Sequence, residues 1–350
     1  MKRPTIADIA VRAGVTKAAV SFALNGQPGV SAATRERILA IAAEIGFQPS
    51  SAARALTAGR AGAFGLIIDR PARMLGVEPF FMQVISGIQA DLTHHHITLQ
   101  FSMAEDPGVE IDLYQEWWAQ RRVDGVFVYD LQRDDRRIAM IEELRMPAVV
   151  LGSPRGSGTL PAVWQDEREV VTTVIGYLAG LGHKRIARVG GLARYWHTAL
   201  RAEAFAEVAS AAGVEAVHAE ADYTAEHGAE ATRELLSSPR PPTAILYDND
   251  VMAVAGLGAA QRLGIGVPSD VSVVSWDNSV LCGITHPALT AMERDIAGIG
   301  STAARMLREM ADGKRPAHVR EASASLLVRG STGPAPGSGA PAAALSQASA

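Results

Sequence analysis

Cysteine is almost absent from this chain, because Cys282 is the only one among its 350 residues. No internal disulfide can form, and one chain cannot build a metal site from several thiolates. We expect Cys282 to be a buried, unreactive thiol. No apolar run approaches the roughly 18 residues of a membrane helix, and the N-terminus "MKRPTIADIA" reaches Asp8 without the apolar core of a signal peptide. These absences predict a cytoplasmic protein with no membrane segment.

The sequence signatures of common enzyme sites are also missing. The chain has no serine elbow, no Walker loop and no HExxH motif. Three adjacent histidines, His94 to His96, could suggest a metal, but neighbouring residues on a helix do not share a face, and a helix C-terminus favours histidine. We interpret Asp134 and Asp135 as part of a solvated, charged helical start. The sequence therefore predicts neither an enzyme nor a metal or other cofactor.

Acidic residues are scarce at the N-terminal end. Residues 1–60 hold eight Lys or Arg against three acids, a net charge of +5, so the other 290 residues carry −9 of the total of −4. A basic segment joined to an acidic body indicates that one end binds a polyanion, with ordinary charge scatter as the alternative. The length, the hydrophobic fraction of 48% and the 33 glycines fit a globular α/β protein of more than one domain.

The first 46 residues predict three short helices with a tight turn between the first two. Thr5, Thr16 and Ser31 are the expected N-caps, and Gly14, Gly26 and Gly46 end the helices. Apolar residues at helical spacing supply a small core: Ile6, Ile9, Ala10, Val20, Leu24, Ile38, Ile41, Ala42 and Ile45. This arrangement is a helix-turn-helix.

From Phe64 onward, short apolar strands alternate with amphipathic stretches. Strands are predicted at 64–69, 97–103, 125–129, 148–152, 185–190, 243–248 and 271–276, and helices within 106–121, 167–181, 201–212 and 249–263. Continuously apolar strands of this kind predict two parallel sheets covered by helices on both faces. Residues 331–350 are uncharged and consist mostly of Ala, Gly, Pro, Ser and Thr, so we expect a disordered tail.

Together these segments resemble the LacI/GalR (lactose-repressor/galactose-repressor) family of bacterial transcription regulators. The resemblance covers about residues 5–332 and includes "TIADIAVRAGVTKAAVSFALNG", "VSAATRERILAIAAEIGFQPSSAARAL", "EPFFMQVISGI", "AGLGHKRIARVGG", "YDNDVMAVAGLGAAQRLGIGVPSDVSVVSWDN" and "LLVRGST". It implies an N-terminal all-α helix-turn-helix domain followed by an α/β periplasmic-binding-protein-like body of two parallel-sheet subdomains.

The resemblance also sets the expected domain boundaries. The DNA-binding domain is 1–46, the hinge helix or linker 47–61, and the effector-binding and dimerisation domain 62–330. Within the last, the N-subdomain is expected at about 62–163 and 294–320, and the C-subdomain at about 164–293 and 321–330.

By this resemblance the second helix reads DNA. Base-reading positions fall on Lys17, Ala18 and Phe22, although Lys17 could equally be a solvated charge. Phosphate contacts are implied for Thr5, Thr16, Ser21, Asn25, Ser31 and Thr34, since short hydroxyl and amide donors suit phosphate oxygens. Phe22 stands where the family usually has arginine. It either touches a thymine methyl or another apolar surface in the groove, or folds back onto the small core.

The segment "SSAARALTAGR", residues 51–61, matches the family's hinge helix. The match implies that Leu56 wedges into the minor groove, with Ala53 one turn earlier and Arg54 beside them. A plain linker that happens to contain one leucine is the alternative.

Ligands of open parallel α/β sheets bind beyond the carboxyl ends of the strands. Polar and aromatic residues expected there are Phe80, Phe81, Tyr129, Asp130, Trp164, Asp166, Arg201, Tyr223, Asn249 and Asp277. The resemblance implies effector contacts for Phe80, Phe81, Arg201, Tyr223, Asn249 and Asp277. An aromatic face with Asp, Asn and Arg suits a neutral sugar. A phosphorylated ligand would need several cations, and Arg201 is the one apparent in the sequence; a nucleobase or a phosphosugar is the alternative ligand.

The sequence thus predicts a DNA-binding transcription regulator, more specifically a repressor. Its expected partners are a roughly palindromic double-stranded operator, a sugar or glycoside effector, and a second copy of the chain in a homodimer. The resemblance implies that the ligand closes a cleft and shifts the subdomains. A sugar-binding protein that does not act on DNA would need a signal peptide, and an α/β sugar-processing enzyme would need a nucleophile or an acid/base pair.

Overall fold

The chain divides into two compact units, residues 1–61 and 62–350. The computed structural model describes residues 4–47, 59–70, 72–104 and 106–337. The expected hinge residues Ala53, Arg54 and Leu56 lie outside these ranges. Within them, no helix is long and apolar enough to cross a membrane.

Three helices form the N-terminal unit, as predicted: α1 (Ile6–Ala13), α2 (Lys17–Leu24) and α3 (Ala32–Glu44). Each begins at its expected hydroxyl N-cap, and Thr5 forms a full capping box with Asp8. Gly14 ends α1 in the left-handed region, with φ of 63°. The core between the helices consists of Ile9, Ala10, Ala13, Val20, Ala23, Ile38 and Ala42.

The larger unit holds two six-stranded sheets. Sheet 1 has the order β11-β5-β4-β3-β1-β2, and all of its neighbouring strands are parallel. Its strands are β1 (Ala63–Asp69), β2 (Thr98–Ala104), β3 (Val126–Val128), β4 (Ala148–Leu151), β5 (Ala162–Trp164) and β11 (Val319–Arg320). Sheet 2 has the order β12-β10-β9-β8-β6-β7, and β12 is antiparallel to β10. Its strands are β6 (Arg185–Gly190), β7 (Glu215–Glu220), β8 (Ala244–Tyr247), β9 (Ser272–Ser275), β10 (Thr290–Glu293) and β12 (Ser325–Leu327).

Helices cover both faces of each sheet, as the apolar strands predicted. They are α4 (Pro79–His94), α5 (Pro107–Ala119), α6 (Arg136–Glu143), α7 (Glu167–Gly180), α8 (Trp196–Ala211), α9 (Ala225–Leu236), α10 (Asp250–Arg262), α11 (Val280–Ile284) and α12 (Ile296–Ala311), with a 3-10 helix at Ala72–Gly76. In sheet 1, Phe64, Leu66 and Ile68 pack with α4 and α12, whereas Ile67 packs on the opposite face with α5 and α6. We call the elements packed on sheet 1 lobe 1 and those on sheet 2 lobe 2.

Within the described residues, the chain passes between the lobes three times. The crossings are residues 165–166 after β5, 294–295 after β10 and 321–324 after β11. Each lobe is therefore assembled from separate parts of the sequence, and the three crossings lie between the two sheets.

Five strands were not predicted from the sequence, and one helix begins earlier than expected. All seven predicted strands are present, but β5, β7, β10, β11 and β12 were missed because they are short or carry alternating polar residues. The helix expected from Arg201 begins earlier, at Trp196, so Arg201 lies inside α8 and not at a strand end.

The expected disordered tail was wrong for residues 331–337. Ser331 and Thr332 are buried. Val273 N donates to the Ser331 carbonyl at 2.8 Å, and Ser331 Oγ donates to the Val273 carbonyl at 2.6 Å. The Gly333 carbonyl accepts a hydrogen bond from His183 Nε2 at 3.1 Å, and Gly333 N donates to Ser272 Oγ at 3.1 Å. Composition predicted disorder because it ignores such specific partners. Residues 338–350 lie outside the described ranges.

Candidate functional site

The second helix of the N-terminal unit presents a polar, exposed surface. Lys17 and Ala18 are exposed in its first turn, while Val20 and Ala23 are buried on its inner face. A helix of this kind, with small residues at its N-terminal end, can enter the major groove of DNA.

The residues expected to contact phosphates cluster at helix ends. Thr5, Thr16 and Ser31 are the N-caps of the three helices, so the helix N-termini, which favour anions, lie beside their hydroxyl groups. Ser31 also donates to Thr34 Oγ1 at 2.9 Å. At the other end of α2, Asn25 Nδ2 donates to the Ser21 carbonyl at 2.9 Å.

Phe22 lies on the surface of the N-terminal unit. Its side chain is 41% exposed and does not belong to the core cluster. One ring edge covers Gly29, where an added Cβ would stand 3.3 Å from Phe22 Cδ2. The ring therefore rests on backbone rather than filling the core, and its other side remains accessible.

In the larger unit, a cleft lies between the carboxyl ends of the two sheets. In sheet 1, β1 is flanked by β2 and β3, and in sheet 2, β6 is flanked by β7 and β8, so each sheet has a switch point where loops diverge. The cleft encloses about 730 Å³ when its open mouth is counted. Eight expected effector residues line it: Phe80, Phe81, Tyr129, Trp164, Arg201, Tyr223, Asn249 and Asp277.

Asp166 does not line this cleft. It is the N-cap of α7, where its Oδ1 accepts from Arg168 N at 2.9 Å, and Arg320 lies 3.6 Å from its other oxygen. The strand-end rule failed here because β5 is followed at once by α7, so the carboxylate turns to the helix N-terminus.

Three aromatic rings form one wall of the cleft. The centroids of Phe80, Phe81 and Tyr129 lie 5.3 to 5.6 Å apart, and the Phe80 and Tyr129 planes differ by only 35°. The two phenylalanines belong to the first turn of α4, which starts at Pro79. Trp164, whose role the sequence left undecided, also lines the cleft, and the Arg320 guanidinium lies 5.6 Å from its ring.

Arg70 follows β1 and lies across the switch point of sheet 1. Its Nη2 is 2.6 Å from Asp130 Oδ2, and its Nη1 donates to Tyr195 Oη of lobe 2 at 2.6 Å. Burial by itself would lower the pKa of Arg70, but Asp130 and its other neighbours raise it above the usual value. Arg70 is therefore a buried permanent cation paired with one carboxylate.

Arg201, within α8, lines the lobe 2 side of the cleft. It donates to Glu167 Oε2 at 2.9 Å and to the Asp248 carbonyl at 3.2 Å, and its guanidinium lies 4.0 Å above the Trp276 ring. Burial opposes its charge, but Glu167 and Asp248 raise the pKa of Arg201. Arg188 forms a bidentate ion pair with Asp248, in which Nε donates to Oδ1 and Nη2 donates to Oδ2.

Tyr223 and Asn249 are fixed by the protein's own polar groups. The Tyr223 hydroxyl is bonded to Thr198 Oγ1 at 2.7 Å and His197 Nε2 at 2.6 Å. Its backbone is in the left-handed region, with φ of 71°, and a Cβ at Gly191 would stand 1.9 Å from its ring. Asn249 caps α10 through Met252 N and donates to the Tyr223 carbonyl at 3.0 Å.

Asp277 is tied to all three crossings between the lobes. Arg294, in the second crossing, donates to Asp277 Oδ1 at 3.0 Å and to Gln165 Oε1 in the first crossing at 2.7 Å. Gln165 in turn donates to the carbonyl of Ala322 in the third crossing at 2.8 Å. A ligand that contacts Asp277 therefore acts on a carboxylate connected directly to the segments about which the lobes can move.

The lobes also touch beside the cleft through their backbones. Arg133 N donates to the Arg194 carbonyl at 3.0 Å, and Trp196 N donates to the Leu131 carbonyl at 2.8 Å. The guanidinium of Arg155 lies 4.7 Å from the Trp196 ring, and that of Arg133 5.5 Å from it. We call this set of contacts the clasp.

Sequence reasoning missed eight polar residues that line the cleft: Arg70, Glu78, Ser153, Gln165, Glu167, His197, Asp248 and Arg294. Arg70 and Asp248 directly follow β1 and β8, so the strand-end rule could have found them. Arg294 follows β10, which was not predicted. The expectation of a single cation, Arg201, was therefore wrong, since three arginines line the cleft, although each has a carboxylate partner.

Residues interpreted as structural are buried or paired. Cys282 is buried, and burial raises the pKa of its thiol to about 11. His183 faces Thr243 Oγ1 at 2.9 Å and the Gly333 carbonyl at 3.1 Å. In the described ranges, no group of three or more His, Cys, Asp or Glu side chains is arranged to hold a metal ion.

A helix-turn-helix unit joined to a two-lobed α/β unit with a ligand-sized cleft defines a ligand-controlled DNA-binding regulator, and the comparisons agree. Residues 5–50 match the model of bacterial regulatory proteins of the lacI family, and residues 175–332 match a periplasmic binding protein-like domain. The chain is 30% identical to the HTH-type transcriptional regulator CelR of Thermobifida fusca, over 91% of this chain and 95% of CelR. It is 32% identical to the regulator MalR of Streptomyces coelicolor, over 95% and 97%.

Solved structures give the same answer. A lac repressor dimer bound to operator and the anti-inducer ONPF superposes with a TM-score of 0.82 at 25% identity, over 95% of this chain and all of that one. A CelR–cellobiose complex superposes with a TM-score of 0.72 at 29% identity, over 94% and all of that chain. This chain belongs to the LacI family of bacterial regulatory proteins. It is a DNA-binding transcriptional regulator, and its family consists of such regulators rather than enzymes.

Proposed function

We propose that this regulator is a repressor whose affinity for its operator is set by a neutral sugar or glycoside bound between the lobes. The observation that carries the proposal is the cleft, where an aromatic wall faces paired Asp and Arg side chains. Aromatic rings suit the C–H face of a sugar, and the polar groups suit its hydroxyls. Support comes from the similarity of this chain to CelR, which has been solved in complex with cellobiose.

The proposed effector contacts are the eight expected residues that line the cleft. Because every lining arginine is already paired with a carboxylate, no cation is left to neutralise a phosphate group. This balance favours a neutral ligand over a phosphosugar. The sheets also support the proposed subdomain boundaries, with lobe 1 as the N-subdomain and lobe 2 as the C-subdomain.

On DNA, we propose that Lys17, Ala18 and Phe22 face base edges. The phosphate contacts are assigned to Thr5, Thr16, Ser21, Asn25, Ser31 and Thr34. Leu56, with Ala53 and Arg54, is proposed as the minor-groove wedge by family resemblance alone. The protein would act as a homodimer on a roughly palindromic operator, which the dimeric lac repressor complex supports.

The mechanism that we propose is allosteric. The effector binds more tightly to one arrangement of the lobes than to the other, and the same difference in free energy changes operator affinity. The link between Asp277 and the three crossings is the route by which ligand contacts bias the lobes.

The test combines a sugar screen with an operator assay. The full-length protein first selects its operator from a random DNA pool, and its melting temperature is then measured with a panel of mono- and disaccharides that includes cellobiose and maltose. A sugar at one hundred times its Kd should raise the melting temperature by about 5 °C and change operator affinity. Asp277→Asn should weaken the sugar response about tenfold, because it replaces a charge-assisted acceptor.

Asp166→Ser is the matched control, because serine keeps the helix cap and the residue lies outside the cleft. We expect its sugar response to equal that of the wild type. The effector proposal fails if no sugar changes both the melting temperature and operator binding, or if Asp277→Asn responds like the wild type.

A further inference from the structure

A buried carboxyl group with one unpartnered oxygen lines the lobe 1 side of the cleft. Glu78 directly precedes α4 and is only 6% exposed, and its Oε2 has no hydrogen-bond partner among the residues that the structure describes. Although Glu78 is the N-cap residue of α4, its side chain makes no capping hydrogen bond. A buried polar atom without a partner destabilises the folded state, and a bound ligand that hydrogen-bonds to it offsets this cost.

Polar groups from both lobes surround Glu78. Arg70 and Asp130 face it from the ends of β1 and β3, and Asn249 and Asp277 face it from lobe 2. Burial raises the pKa of Glu78 to about 8, and Asp130 and Asp277 act in the same direction, while Arg70 and Asn249 oppose them. A carboxyl with a pKa raised in this way stays protonated to higher pH than an ordinary glutamate, and in that form its O–H can donate.

Asp130 offers the complementary group in the same wall. Burial raises the pKa of Asp130, but the Arg70 guanidinium paired with one of its oxygens opposes this rise and favours the carboxylate. The other oxygen, Oδ1, has no hydrogen bond within the described residues. The nearest imidazole nitrogen, His197 Nδ1, is 3.8 Å away, and burial together with the charges of Arg201 and Arg70 lowers the pKa of His197 well below its usual value. A neutral imidazole at that distance leaves Oδ1 free to accept a hydrogen bond.

A neutral carboxyl that donates and a carboxylate that accepts require a ligand group that can do both. A hydroxyl both accepts and donates, whereas an ammonium only donates and a phosphate only accepts and carries a charge that Asp130 repels. The aromatic wall lies alongside, since Arg70 is 5.7 Å from the Phe81 ring. Hydroxyl groups on a ring stacked against that wall can reach this position.

We propose that Glu78 and Asp130 form a hydroxyl-binding subsite that selects a neutral sugar over its amino and phosphorylated counterparts. This assignment rests on the proposed function, because it concerns the same cleft. Asp130 was expected at this edge of the sheet from the sequence, whereas Glu78 was not. Glu78 is a specificity-determining residue of the effector site.

The test compares Glu78→Gln with Glu78→Leu in the full-length protein. The probes are glucose, cellobiose, maltose, glucosamine and glucose 6-phosphate, and affinities are measured by calorimetry at pH 7 and pH 9. At pH 7, Glu78→Leu should bind the neutral sugars about tenfold more weakly, because it cannot hydrogen-bond. Glu78→Gln keeps a donor and an acceptor, so most of the affinity should return.

The pH arm separates a donor role from a merely structural one. Wild-type affinity should be present below pH 8 and fall about tenfold by pH 9, as Glu78 ionises and loses its donor. Glu78→Gln cannot ionise and should lose this dependence. The subsite is overturned if a neutral sugar binds Glu78→Leu as well as the wild type, if wild-type affinity does not change with pH, or if glucosamine or glucose 6-phosphate binds more tightly than glucose.

A ligand-free measurement keeps the two proposals distinguishable. Because the folded-state pKa of Glu78 is raised, its contribution to stability is complete below about pH 4.5 and is lost as the pH rises to about 8. The melting temperature of Glu78→Gln should therefore rise relative to the wild type across this range. A pH-independent difference would mean that Glu78 is ionised and paired, which overturns the subsite whatever the sugars do. A failure of every sugar, with the pH effect intact, overturns the sugar effector and with it the assigned ligand.

Discussion

At the scale of single residues, Phe22 stands at a position where, by the family resemblance, arginine is usual. The ring is held at the surface by Gly29, which has no side chain to displace it. An arginine could form two hydrogen bonds to guanine, but a phenyl ring can contact only apolar surface, such as a thymine methyl. The operator half-site therefore cannot be transferred from relatives that have arginine.

Phe22→Ala should lower operator affinity about fivefold while leaving the free energy of unfolding within about 1 kcal/mol of the wild type. The reason is that the ring is 41% exposed, whereas removing a core phenylalanine costs about 3–5 kcal/mol. Denaturant unfolding and fluorescence anisotropy with the selected operator measure the two quantities. Leu39→Ala, another exposed apolar residue of the same unit at 45%, is the control and should change neither. A large loss of stability in Phe22→Ala would place the ring in the core.

At the scale of elements, the C-terminal segment acts as part of sheet 2 although its composition suggests a tail. Ser331 Oγ donates to the Val273 carbonyl at 2.6 Å and accepts from Thr290 N at 2.8 Å, so it links β9 and β10. Ala335 N adds a bond to the Leu181 carbonyl at 2.9 Å. These contacts satisfy backbone groups of β9, of β10 and of the residue that follows α7.

Removing residues 331–350 should lower the free energy of unfolding by about 3 kcal/mol, because several buried hydrogen bonds of about 1 kcal/mol each are lost. The matched truncation after Gly337 keeps every contact described for the segment and should unfold like the full chain. Urea unfolding of both proteins measures the difference. Equal stability of the two truncations would show that the segment is not part of the folded unit.

At the scale of the whole larger unit, the lobes are connected on two sides. The three crossings are braced by Gln165 and Arg294, and the clasp joins the loops after β3 and β6. In the proposed mechanism, the clasp and the braced crossings are the contacts that a movement of the lobes would change.

Arg155→Gln removes one cation from the Trp196 ring and should open the clasp more often. Loss of about 1 kcal/mol predicts roughly fivefold faster hydrogen exchange at the amides of Arg133 and Trp196. Exchange measured by mass spectrometry on the ligand-free protein reports this directly. Arg305→Gln, at an exposed helical ion pair with Glu309, is the control and should leave both amides unchanged. Unchanged exchange in Arg155→Gln would show that the Arg155 guanidinium does not stabilise the clasp.

The features that the sequence alone predicted correctly depend on neighbouring residues in the chain. Caps and apolar spacing are local, so Thr5, Thr16 and Ser31 predicted where three helices start. Strand ends are also local, which is why Tyr129, Asp130 and Asp277 were correctly expected at the cleft.

Contacts that depend on strand order were not accessible. The pairing of Arg70 with Asp130 requires β1 and β3 to be neighbours, and the position of Arg294 requires β10, a short strand that exists because β9 and β12 flank it. Asp166 was wrongly expected in the cleft because it follows a strand, whereas its carboxylate caps the N-terminus of α7.

The discontinuous construction of the lobes has a consequence for biosynthesis. The helices of residues 6–44 are contiguous and complete as soon as that stretch leaves the ribosome, so they can fold early. Sheets 1 and 2 each receive their last strand, β11 and β12, from residues 319–327, so neither lobe can finish folding until nearly the whole chain has been translated. During synthesis, a DNA-binding domain therefore exists before the cleft that is proposed to control it.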